Sequence, residues 1–83
     1  MNQMDEDRVL KVGEGFRADC DRLRLFVEVM HDGWTVGVYD MKAGKWIEDK
    51  KRVNTADEGK ARATQIAAAA LQVAELQPNW ITL

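Results

Sequence analysis

The 83-residue chain holds one cysteine, one histidine and one proline. A single cysteine excludes an intramolecular disulfide and fits a reducing compartment. One histidine and one cysteine cannot build a zinc site without carboxylates, and neither Cys20 nor His31 stands in a ligand spacing. The glycine-containing runs "GEG" at 13–15 and "GKAR" at 59–62 lack the fixed glycines of a phosphate loop or a dinucleotide fingerprint. No run approaches the ~20 apolar residues of a membrane span. The opening "MNQMDEDRVLKV" carries acids where a secretory leader needs bases. Neither sign of charge dominates either: the formal net charge is −2, which gives no general attraction to nucleic acid or anionic lipid. Together these absences predict a cytoplasmic, non-catalytic protein with no cofactor and no metal.

What is present is globular, with 46% hydrophobic and 31% charged residues. A chain of this length supports one core and buries about 60% of its unfolded surface. Acids gather at the front (Asp5, Glu6, Asp7, Glu14, Asp19). Residues 1–8 are expected to be a flexible acidic terminus, and 9–83 a single domain.

Period-two patterning then predicts strands. "FRADC" sets Phe16, Ala18 and Cys20 against Arg17 and Asp19, and a turn or bulge at Asp21–Arg22 shifts the parity. "LRLFVEVM" at 23–30 is rich in β-branched and aromatic residues. Asp32-Gly33 suits the centre of a type I′ hairpin turn, with His31 exposed beside it. "WTVGVYD" follows, and "DMKAGK" turns the chain with Gly44 left-handed. "WIEDKKRV" reads as a polar edge strand, its lysines discouraging strand addition. Thr55 then caps a helix, with Glu58 reaching back to the cap amide. Ala63, Ile66, Ala67, Ala70, Leu71 and Ala74 form its buried stripe, and Pro78 predicts an end near Gln77. On its other side Ala61, Ala68, Ala69, Val73 and Leu76 are apolar enough to meet a partner or the tail "PNWITL". The predicted fold is α+β: a three- to four-stranded antiparallel meander followed by one long C-terminal helix packed on one face, in two layers.

One helix covers one sheet face. If Leu25, Val27, Val29, Val36 and Val38 meet it, then Arg24, Phe26, Glu28, Met30, Thr35 and Tyr39 face away. That second face is either covered, by the tail, the N-terminal segment or a second subunit, or is an open platform on which bases stack. The first reading names Phe26, Met30, Tyr39, Trp80 and Leu83 as partner-binding residues and favours a homodimer.

The order "GWTVGVYD…GKW…VNTADEGKARATQIAAAAL" resembles the three-strands-plus-helix layout of plant AP2-type DNA-binding domains and integrase arm-binding domains. The likeness runs over about 45 residues, from Gly33 to Gln77. It implies a nucleic-acid-binding sheet face, with Arg24, Tyr39, Lys50 and Arg52 as the residues for the groove. Glu28, Asp40, Glu48 and Asp49 depart from the basic face of those families. The chain also resembles small uncharacterised bacterial sheet-plus-helix proteins, a likeness that implies no activity.

Overall fold

The computed structural model describes residues 14–31 and 33–83. The expected acidic terminus at 1–8, the run 9–13 and Asp32 lie outside the described residues. Each period-two run forms a strand: β1 (Gly15–Cys20), β2 (Leu23–Met30), β3 (Gly33–Asp40) and β4 (Lys45–Val53). They make a four-stranded antiparallel meander, followed by helix α1 (Ala56–Leu71) on one face and a short fifth strand β5 (Ile81–Thr82). The sheet order is β4-β3-β2-β1-β5, so β4 and β5 are the edges.

Register follows from matching apolar partners. Phe16, Ala18 and Cys20 pair with Val27, Leu25 and Leu23. Leu25, Val27 and Val29 in turn pair with Val38, Val36 and Trp34. A one-residue slip would turn the whole set to the wrong face. The parity change at Asp21–Arg22 is a hairpin connection between the paired Cys20 and Leu23, with Asp21 at φ 57°. In the second hairpin Met30 pairs with Gly33, so Gly33 is the first residue of β3 and not a central turn residue. This register sets Trp34, Val36 and Val38 opposite Val29, Val27 and Leu25. Gly44 is left-handed as expected, at φ 71°.

β4 does not alternate simply. Val36 pairs with Lys51, Val38 with Glu48 and Tyr39 with Trp46, so the strand carries extra residues at two points. Lys50 lies in the first irregularity at φ 57°, which breaks the period-two alternation of the polar edge strand there. Bulges of this kind twist an edge strand away from further pairing.

The core lies between the sheet and α1. Leu23, Leu25, Val27, Val36 and Val38 are fully buried, with Ala63 and Ala67 of α1 against them. Burial of each Val or Leu side chain contributes about 1.5–3 kcal/mol. Gly59 permits this close approach, since an added Cβ would stand 2.8 Å from Val27 Cγ1 and 3.2 Å from Val36 Cγ2. Thr55 caps α1 by accepting the Glu58 amide at 3.0 Å. Glu58 Oε1 reaches past the cap amide and accepts from Asn54 N–H at 3.0 Å.

α1 ends at Leu71, short of Gln77. Gln72 adopts the left-handed conformation (φ 59°, ψ 45°), and the amides of Gln72 and Val73 donate to Ala69 and Ala68. This closing pattern satisfies two end carbonyls well before Pro78 acts. Ala74, expected in the buried stripe, is exposed beyond the helix, and so is Val73. The early stop lets the chain turn back. Leu76 and Trp80 pack against the core, and β5 pairs with β1, Thr82 opposite Phe16 and Ile81 opposite Arg17.

Candidate functional site

The sheet face away from α1 carries three aromatic residues, Phe26, Tyr39 and Trp46, of which Trp46 is exposed. Alternation along β2 sends Arg24, Phe26, Glu28 and Met30 there, and β3 adds Thr35, Gly37 and Tyr39. The turn at Met41–Gly44 joins Asp40 to its partner Lys45, so Tyr39 stands directly opposite Trp46. Tyr39 and Trp46 meet edge to face at 4.9 Å between ring centroids, and Phe26 and Trp46 at 5.7 Å. Edge-to-face packing brings the positive ring edge to the negative ring face. The indole lies over Gly37, where an added Cβ would come within 3.0 Å of Cζ3. A side chain at position 37 would fill the space the indole occupies.

Trp46 remains 44% exposed, with Met41 and Ile47 similarly exposed nearby in the chain. Around the rings the charges are mixed. Arg17 stands opposite Phe26, Asp19 opposite Arg24, Glu28 opposite Thr35 and Thr35 opposite Arg52. Arg24 grips Asp19 through two bonds, Nε to Oδ1 at 2.8 Å and Nη2 to Oδ2 at 3.0 Å. This bidentate pair holds the Asp19 carboxyl below its ordinary range and raises the Arg24 guanidinium further.

The residues expected to bind a partner do not form one surface. Phe26, Met30 and Tyr39 share the open face. Trp80 packs on the opposite, core side, and Leu83 lies exposed beyond β5 at the sheet edge. The tail therefore extends the sheet without covering its open face. Of the residues expected to contact nucleic acid, Arg24 and Tyr39 share the open face and Arg52 pairs with Thr35 of that face, while Lys50 sits in the bulge. Trp46, the most exposed of the clustered aromatics, was not legible as a site residue from alternation alone. Its face follows from the turn length, which sets it against Tyr39.

Two further features lie off this face. Asp40 is nearly buried at the end of β3. Its Oδ1 accepts the amides of Ala43 and Lys42, and its Oδ2 takes Arg22 Nε at 3.2 Å. The Ala43 amide first, then Arg22 and the Lys42 amide, hold its carboxyl below the usual range against the opposing effect of burial. Cys20 is half-buried on the helix side, its thiol pushed up by burial and then by Asp19. Cys20 and His31 lie at opposite ends of β2, about 26 Å apart at strand rise. They cannot act as a nucleophile–base pair within one chain. Among the described residues no group of three or more metal-type ligands occurs, and no helix is long and apolar enough to cross a membrane.

No family model, curated protein or solved structure matches this chain.

Proposed function

We propose that the protein is a non-catalytic association module whose open sheet face binds a second copy of itself. The observation that carries this reading is the Phe26–Tyr39–Trp46 cluster, seated on a face that no other described element covers. Four strands of this length present about 19 by 26 Å of face, the scale of a small dimer contact. Aromatic residues ringed by polar groups are the usual centre and rim of such a contact. The rim also favours a copy as partner: Arg17 of one copy and Glu28 of the other can complement one another across a two-fold axis.

A nucleic-acid face is less well supported. Arg24, its leading phosphate ligand, is held by Asp19, and Glu28 adds a second negative charge beside the rings. Sedimentation velocity over a wide concentration range tests the proposal, with duplex and single-stranded DNA as the competing ligands. The reading expects a concentration-dependent dimer that Trp46→Ser weakens at least tenfold. A chain that stays monomeric yet binds DNA with steep salt dependence would replace it with the nucleic-acid reading.

A further inference from the structure

Beyond the packing of Trp80, β5 has a short backbone pairing. Two residues pair with β1, and Leu83 N–H adds one bond to the Gly15 carbonyl at 2.9 Å. Hollows of about 210 Å³ flank it on both sides, one against Phe16 and Trp34, the other against Ala18 and Asn79. Ile81 and Leu83 stay 46% and 47% exposed, so their apolar area is largely unused. The connector at 73–80 contains no helix or strand and can span up to about 26–29 Å when extended. The β1 edge, in contrast, is specific. It places Trp80 on the core side and sets Thr82 against Phe16 and Ile81 against Arg17.

We infer that this segment is exchangeable, and that the β1 edge of one copy accepts residues 80–83 of a second. Every copy offers the same edge in the same register, so exchange re-forms the contacts that residues 80–83 make within one chain. The two copies are then linked through their connectors without new contacts, a low-cost route to a dimer. The surface involved is the sheet edge, and the inference stands independently of the open-face contact.

Cross-linking between separately labelled copies tests it. In a Cys20→Ala background, one preparation carries Arg17→Cys and the other Ile81→Cys. The Gly15–Leu83 bond makes 17 and 81 a hydrogen-bonded pair, with Cα atoms about 5.5 Å apart, within disulfide range. The double variant, Arg17→Cys with Ile81→Cys in one chain, confirms the geometry by forming a disulfide. After mixing and mild oxidation, exchange predicts a covalent heterodimer several times more abundant than from a control mixture of Lys42→Cys and Ile81→Cys. Yield at the control level from preparations that circular dichroism shows to be folded overturns the inference. The mixture is repeated in a Trp46→Ser background. A heterodimer that persists there is exchange, while one that vanishes with the open-face contact reflects proximity within that dimer and also overturns it.

Discussion

Replacing Gly59 by alanine should destabilise the protein, although alanine is the better helix former. The intrinsic preference is worth up to about 1 kcal/mol in a helix interior, and less near the first turn. Against it stands the contact with the sheet. Carbon atoms pack at about 3.5–4.0 Å, whereas the new Cβ would lie 2.8 Å from Val27 Cγ1 and 3.2 Å from Val36 Cγ2. Both valines are fully buried at the centre of the sheet, and a β-branched side chain has little χ1 freedom with which to retreat. The start of α1 must rise, loosening Ala63 and Ala67 behind it. Overpacking of this kind costs about 1–3 kcal/mol, which after the helix preference leaves a net loss of up to about 2 kcal/mol. Urea unfolding followed by far-UV circular dichroism reads this as a lower midpoint at unchanged slope. Ala61→Gly at an exposed position of the same helix is the control, expected to cost about 1 kcal/mol. The same exchange should thus be harmful in both directions. A higher midpoint for Gly59→Ala would refute the close-contact argument.

Gly37→Ala should crowd Trp46 off the open face, changing indole fluorescence and weakening association while costing less stability than Gly59→Ala. Removing the helix cap with Thr55→Ala should cost about 1 kcal/mol in the same urea assay. The carboxyl of Asp40 is held below its unfolded value, so its contribution is complete above the ordinary carboxylate range and is lost as pH falls through its lower folded value. Asp40→Asn should therefore be less stable than the parent at neutral pH, and the gap should narrow as both are acidified. Arg24→Ala together with Lys50→Ala and Arg52→Ala should leave any DNA signal in a gel-shift assay unchanged.

Much of the fold is legible because β2 obeys one rule over eight residues, while in β3 burial runs unbroken from Thr35 to Val38. The alternation of Leu25, Val27 and Val29 with Phe26, Glu28 and Met30 admits one burial pattern. Thr55 likewise marks the start of α1 by its chemistry. The helix end is less legible: Gln72 takes a left-handed conformation that glycine usually supplies, because Leu76 and Trp80 gain burial if the chain turns early. That preference is tertiary and leaves no local signature. β5 is hidden for the same reason, being two residues long and defined only by the β1 edge it meets. At the open face, Phe26 and Tyr39 follow from parity. The side Trp46 takes depends on the register set by the Met41–Gly44 turn, which alternation within either strand does not fix.

The central claim is that the Phe26–Tyr39–Trp46 face is a contact between copies. Amide and indole NMR spectra of the full chain across a wide concentration range test it most directly. Shifts are expected to gather on Arg24, Phe26, Glu28, Gly37, Tyr39 and the Trp46 indole, with the exposed side of α1 unchanged. Spectra that do not change with concentration, or changes confined to α1, would contradict it.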